Sequence, residues 1–285
     1  MEAMDLYQST KHYTISEVCK CFDFERDAYY KYKSRKAKED EKQEKILQLV
    51  RVRRAELPRE GARKLHESLS ESFEKENIKI GRDCLLDILR GHGMLVYKKR
   101  SFVKTTDSNH RFRKYPNLIK HLYVTGINQV WVSDITYIRL VKGHCYLALI
   151  TDMYSRKVVG FDVSDSLELA GCLRALQMAL KRLPRKHHLI HHSDRGSQYC
   201  SYAYTDTLKK HKVQISMTED NHCYENAMAE RVNGILKDEF YLDECFDCLD
   251  FAAFACKNAI RLYNTKRLHL SLNYRTPDQV YRSAA

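Results

Sequence analysis

The sequence has no run approaching the ~20 consecutive apolar residues needed to span a bilayer. Its first ten residues, MEAMDLYQST, lack the apolar stretch of a secretion signal. The chain is therefore expected to be made and kept in the cytoplasm. A disulfide or zinc framework is missing too. Ten cysteines are scattered over 285 residues, and only Cys245 and Cys248 stand at C-x-x-C spacing. No second Cys or His pair follows at zinc-finger distance, so free thiols are the expectation. Acidic charge is scarce as well: 37 Asp and Glu face 49 Lys and Arg, a net charge of +12 with pI about 9.1. That excess favours a polyanionic partner. With no basic amphipathic anchor helix, nucleic acid fits better than a membrane surface.

What is present suffices for a packed core. Hydrophobic residues make up 44% of the chain, and the length allows one large domain or two to three small ones. Residues 1–35 predict two short helices separated by a turn near Asp23, with Ile15, Val18, Phe22, Ala28, Tyr29 and Tyr32 as their apolar positions and Thr14 or Ser16 as the first cap. This is a helix-turn-helix pattern, although any helical hairpin would look similar. Residues 36–97 predict further helices. The charged run KSRKAKEDEKQEK leads into ILQLVRV, then GARKLHESLSESF carries Leu65, Leu69 and Phe73, and GRDCLLDILRGHGM carries a stripe of Leu85, Leu86 and Leu89. Residues 98–126 break the pattern. Between Lys98 and Lys120 eight basic residues face one acid, Asp107, which reads as a basic linker able to lie along phosphates.

From residue 127 onward the pattern changes to strands. QVWVSDITYIRL, HCYLALITDMY and RKVVGFDVS predict an antiparallel meander. A helix over SLELAGCLRALQMALKRL follows, with Leu167, Ala170, Leu173, Leu176 and Leu180 on its apolar side. The strand HHLIHHSD, a helix, the strand KVQISM and two helices between Ala227 and Tyr263 complete the order. A β-β-β-α-β-α-β-α-α order is an α/β layered fold, with helices on both faces of a mixed sheet. The core is assigned to residues 127–242, and residues 243–285 to a C-terminal helix and tail.

Three acids need an explanation. In HHSDRGSQY, Asp194 ends a short apolar strand beside Gly196. Turn chemistry is the usual reason for such an Asp. Asp134 lies inside the first strand, where alternation puts it on one face with Val130, Val132, Thr136 and Ile138. A carboxylate there must be compensated, and neighbouring arginines could do it. Glu230 shares a helix side with Asn233 and Lys237, away from Val232, Ile235, Leu236 and Phe240. A helical Glu is ordinarily a solvated one.

The words around these acids are NQVWVSDITYI, HSDRGSQY, CYENAMAERVNGILKDE and YNTKRLHLSLNYRTP, with thirty-five residues between Asp194 and Glu230. They resemble the DDE integrase-core transposases, and within them the downstream-frame protein of insertion sequences of the IS-three family. The resemblance runs from about Gly61 to Tyr281. It implies a ribonuclease-H-like core of the retroviral-integrase type, preceded by helix-turn-helix segments, in which the first and fourth strands are neighbours. It also implies that Asp134, Asp194 and Glu230 are the catalytic residues and hold divalent metal. Three carboxylates are hard oxygen donors, suited to two Mg²⁺ ions, with Mn²⁺ as a substitute. Gly196 would let the backbone approach closely, and His191 and His192 are expected to pack or to support the site.

By the same resemblance the substrate is duplex DNA, namely the element's terminal inverted repeats and a target. Lys237 matches a family lysine at the DNA end. Asn226, Arg231, Asn233, Arg113, Lys98, Lys99 and Arg100 are further expected DNA contacts. Arg267 and His269 match a motif serving either DNA contact or anchoring of the C-terminus. A homodimer or larger assembly on DNA is expected, along with an upstream-frame helix-turn-helix and coiled-coil partner or fusion. Three departures stand out. Glu225 occupies a position where Asp is usual, Ile127 replaces a frequent Pro, and the His-His-Cys-Cys zinc spacing of retroviral integrases is missing from the front. Two other functions stay open: a catalytically silent DNA-binding repressor, and a ribonuclease-H-like nuclease. The helix-turn-helix segments and basic linker favour duplex recognition over the nuclease.

Overall fold

The computed structural model describes Leu6 and residues 13–96, 111–219 and 226–284. The expected contacts Lys98, Lys99 and Arg100, and the departure at Glu225, lie outside the described residues. Two compact units are formed, one by Met1–Arg53 with Ser68–Leu95 and the other by Arg54–Glu67 with Val96–Ala285.

The first unit is helical. Helix α1 (Ile15–Cys21) starts at a capping box in which the Thr14 side chain accepts the Glu17 N–H and the Glu17 carboxylate accepts the Thr14 N–H. A turn with Asp23 in the left-handed region (φ 54°) follows. The next helix is longer than expected. The second helix of the hairpin and the charged run are one continuous element, α2 (Arg26–Glu56). Nothing in KSRKAKEDEKQEK breaks a helix, and the Glu41–Lys45 pair at 2.8 Å supports that stretch on its exposed face. The predicted helix over 61–73 is instead two, α3 (Ala62–Ser68), which belongs almost wholly to the second unit, and α4 (Ser70–Lys75). In α5 (Arg82–Gly91) the buried residues are Leu85, Ile88 and Leu89. Ile88 thus replaces Leu86 in the stripe, because the i, i+3, i+4 spacing runs from Leu85.

The second unit holds a six-stranded sheet. Strands β1 (Val130–Leu140), β2 (Gly143–Asp152) and β3 (Val158–Ser164) form the predicted antiparallel meander. Helix α6 (Leu169–Leu180) then crosses to β4 (Ile190–Ser193). Helices α7 (Ser197–Cys200) and α8 (Tyr202–Lys210) lead on to β5 (Gln214–Met217). The order is β3-β2-β1-β4-β5, with β4 parallel to both β1 and β5. The first and fourth strands are therefore neighbours. Helix α9 (Ala227–Phe240) is followed by β6 (Cys245–Phe246), which pairs with the far end of β1, then by α10 (Leu249–Thr265) and α11 (Pro277–Ser283).

Alternation divides the core between the two sheet faces. Trp131, Ala148 and Ile150 pack with α6 and α8, whereas Ile138, Leu147 and Leu149 pack with α9 and α10. The buried side of α6 is Gly171, Cys172, Ala175, Leu176, Ala179 and Leu180; of the predicted stripe Leu176 and Leu180 are buried, Leu173 is half-buried and Ala170 is exposed. Small residues decide this. Gly160 of β3 lets the helix come so close that a Cβ there would lie 2.2 Å from the Ala175 carbonyl oxygen and 2.9 Å from the Ala179 Cβ.

Helix α9 is gripped at its C-terminal end. Glu239 accepts both Nε and Nη2 of Arg267 (2.8 and 2.7 Å) and pairs with Lys64 Nζ at 2.9 Å. Arg59 donates to the Asp238 carbonyl at 3.0 Å, where a cation suits the helix dipole, and lies 4.2 Å over the Tyr241 ring. Burial would raise the Glu239 carboxyl, but Arg267 and then Lys64 hold it below the usual range.

Two measurements check this packing. Gly160→Ala should cost at least about 1–3 kcal/mol in denaturant unfolding, since the obstacle is backbone; an unchanged midpoint would show that α6 can lift away. Glu239→Gln should cost about 3–5 kcal/mol at neutral pH by leaving two buried cations unpaired. Because Glu239 is lowered in the fold, its contribution is complete above the unfolded value of 4.5 and is lost as pH falls through the folded one. The gap between wild type and variant should therefore narrow in acid, and a constant gap from pH 7 to pH 3 would refute the pairing.

Candidate active site

Asp134 is aimed by its strand. Val130 and Val132 pack with Ala229 of α9, and Ile138 lies beneath α9 and α10, so the same face of β1 turns Asp134 toward α9. Asp194 is brought alongside by register. Ser133 of β1 is opposite Ser193 of β4, so the next residue of each parallel strand stands at the same level. Past β4 the chain turns sharply, and Asp194 Oδ1 accepts the Gly196 N–H at 3.0 Å. Turn chemistry and carboxylate pairing thus coexist in Asp194. A Cβ on Gly196 would stand 3.1 Å from that same Oδ1, so the turn is tight against the acid.

The third acid arrives on α9. Glu230 is exposed in the first turn of the helix, and three residues on, Asn233 donates from Nδ2 to Asp134 Oδ2 at 2.8 Å. Asp134 Oδ1 accepts the Ile135 N–H at 2.9 Å. Burial and then the Asp194 charge push the Asp134 carboxyl up; Asn233 and Ile135 oppose them, Glu230 adds to the rise, and the result is about 7. Glu230 is itself raised by burial and by Asp194. Half-buried Lys237 is lowered by burial and drawn back up chiefly by Asp134. Asp134, Asp194, Glu230, Asn233 and Lys237 therefore share one electrostatic neighbourhood. No group of three His, Cys, Asp or Glu among the described residues is arranged to hold a metal ion as the side chains stand.

A buried polar layer supports the strand ends. His191 Nε2 meets Ser133 Oγ at 2.7 Å and Tyr204 OH at 3.0 Å, and His192 Nδ1 meets Ser216 Oγ at 2.8 Å. Burial, then His192, pushes His191 down to about 3, so it stays neutral. Both histidines are buried. Ser133, Tyr204, Lys64 and Glu239 carried no signal in the sequence, because their partners lie on other strands and helices.

The other expected contacts separate into two groups. Arg231 is exposed on α9, and exposed Arg113 lies 5.1 Å from the centre of the Tyr115 ring. Asn226 is buried, donating from Nδ2 to the Ser133 carbonyl at 3.2 Å. Arg267 is buried against Glu239. His269 is buried edge-on to Tyr263 at 5.2 Å, and burial, with the Arg267 and Lys64 charges, pushes it down to about 2.

Among the described residues no helix is long and apolar enough to cross a membrane. Residues 125–223 and 211–277 both match the integrase core domain. The chain is 34% identical over 268 residues to the insertion element IS600 uncharacterized 31 kDa protein of Shigella sonnei, covering 91% of this chain and 96% of that one. It is 30% identical over 269 residues to transposase InsF for insertion sequence IS3A of Escherichia coli, covering 94% and 93%. Among solved structures, the HTLV-2 integrase catalytic core in complex with magnesium aligns with a TM-score of 0.43 at 21% identity, covering 54% of this chain and 97% of that chain. With a ribonuclease-H-like sheet and relatives of this similarity along nearly its whole length, the chain belongs to the integrase-core transposases of the IS3 family.

Proposed function

We propose that this chain cleaves and joins DNA strands at the terminal inverted repeats of its insertion sequence, with Asp134, Asp194 and Glu230 as the catalytic, metal-holding triad. The observation that carries this is the Asp134 carboxyl, pushed to about 7 by burial and by the two other acids. A fold with no use for these charges would not gather them, and perturbed acids cluster at functional sites. The all-oxygen donor set fits Mg²⁺ or Mn²⁺, because a divalent cation relieves the mutual repulsion that raises Asp134 and Glu230. When bound, a pair of such ions supplies charge stabilisation for in-line displacement at phosphorus.

The chain's own residues do the positioning. Lys237, on the same side of α9 as Glu230 and Asn233, holds a DNA phosphate beside the acids, and Arg231 and Arg113 extend that contact outward. No protein nucleophile is required. The nearby thiols are held protonated by burial, Cys172 pushed up to about 12 and Cys200 to about 11. Water therefore attacks first and frees a 3′-OH at one end. That hydroxyl attacks near the other end, giving a bridged form, then a circle whose abutted ends join target DNA. Two ends must be paired, so the chain acts on DNA as a homodimer or larger assembly. It does so in the cytoplasm, at the nucleoid, alone or with an upstream-frame helix-turn-helix partner. Arg267 and His269 anchor the C-terminal segment.

Strand cleavage of a labelled element end with Mg²⁺ tests the proposal. Asp194→Asn should slow it by more than the roughly 10–100-fold lost when a group merely supports a ligand. Equal cleavage by both proteins would remove Asp194 from the chemistry. Failure of both would favour a binding-only repressor, and cutting of any RNA–DNA hybrid without element ends would favour the nuclease. Asp134→Asn has a second expected effect, on stability in chelator. The folded carboxyl at about 7 lies above its unfolded value of 3.8, so stability falls as pH rises from about 3.8 through 7 and the loss is complete above that. The variant should be more stable by on the order of 1–2 kcal/mol at pH 8 and no more stable than wild type at pH 4. A variant that melts lower at pH 8 would contradict the crowding of the acids.

A further inference from the structure

Asn226 and Asn233 stand seven residues apart on one side of the start of α9, and Glu230 lies between them. Each donates its NH₂ to β1, Asn226 to the Ser133 carbonyl at 3.2 Å and Asn233 to the Asp134 carboxylate at 2.8 Å. Among the described residues, each also leaves its Oδ1 buried without a hydrogen-bond partner. An orphaned buried amide oxygen is costly, and the one hydrogen bond that each amide donates does little more than offset it. Two such costs in a single helix, aimed at consecutive residues of one strand, are unlike ordinary packing.

We propose that Asn226 and Asn233 are positioning residues, a latch that locks α9 in register with β1 so that Glu230 meets Asp134 and Asp194. The idea rests on the catalytic reading of the three acids above. Asn233 fixes the rotation of the Asp134 carboxylate by donating from Nδ2 to Oδ2. Asn226 fixes the height of the helix start against Ser133, the residue opposite β4. Neither amide contacts DNA. Register matters here because a helix slipped by one residue carries its Glu round by about 100°.

The orphaned oxygens make the latch testable apart from activity. Leu has the branching of Asn at Cγ but neither donor nor orphan. The full-length Asn233→Leu chain should melt at or above the wild-type temperature, and in chelator it should bind a labelled element end within twofold of wild type. Added Mn²⁺ should raise its melting temperature less than it raises the wild type's, and its strand cleavage should fall at least tenfold. Asn226→Leu should show the same pattern. A clear drop in melting temperature would make the amides ordinary structural groups. DNA binding weakened in step with cleavage would make them DNA contacts, and unchanged cleavage with an unchanged Mn²⁺ shift would remove the latch. If wild type itself cuts no element end, the catalytic reading fails, while the Mn²⁺ shift and melting comparison still decide the latch.

Discussion

Two carboxylates at the same level on neighbouring parallel strands repel each other, and the larger unit is built so that they cannot move apart. The β1–β4 ladder holds Ser133 opposite Ser193, and a helix layer covers each face of the sheet. Beneath the strand ends, Ser133, His191 and Tyr204 form a hydrogen-bonded layer in which His191 is kept neutral. A charged histidine there would have damped the repulsion. Its neutrality keeps the negative field intact, and Asp134 responds by retaining its proton up to about pH 7.

The third acid depends on how α9 is held, and its supports come from distant parts of the chain. At its C-terminal end Glu239 binds Arg267 from beyond α10 and Lys64 from 175 residues upstream. Leu57 joins the core cluster of α9 and α10, and Arg59 caps the last turn. Residues 54–67 thus belong with the sheet even though they lie between the two segments of the helical unit. At the other end, α9 meets β1 through the two asparagines. Exposed Glu230 is therefore fixed by its neighbours on the helix rather than by contacts of its own.

The succession of strands along the chain was legible because periodicity two and β-branched runs mark strands directly, whereas the adjacency of β1 and β4 came only from the family resemblance. The face carrying Asp134 was legible for the same reason. Along α9 the helical period correctly grouped Glu230, Asn233 and Lys237, but a period cannot say what a face touches. The side expected to be polar and solvated is where Asn233 meets Asp134. In α6 the expected stripe followed the large residues Leu167 and Leu173, whereas the contact is made by Ala175 and Ala179 against Gly160. Close approach is governed by small side chains, and a hydrophobicity pattern passes over them. Arg267 and Glu239 were out of reach for another reason. An ion pair between positions twenty-eight residues apart leaves no local trace.

Each feature of the site makes the fold less stable than a plain α/β sandwich would be. Asp134 is held near two other acids, and the amide oxygens of Asn226, at the cap of α9, and of Asn233 are buried without partners among the described residues. Strain of this kind persists only where the surroundings over-determine it. Here the surroundings are the tight β3–α6 contact, the Glu239 cluster and the polar layer under β1 and β4. A cation entering among the acids would act on strands and a helix that are already fixed, so its binding energy would go into relieving repulsion rather than into ordering the protein.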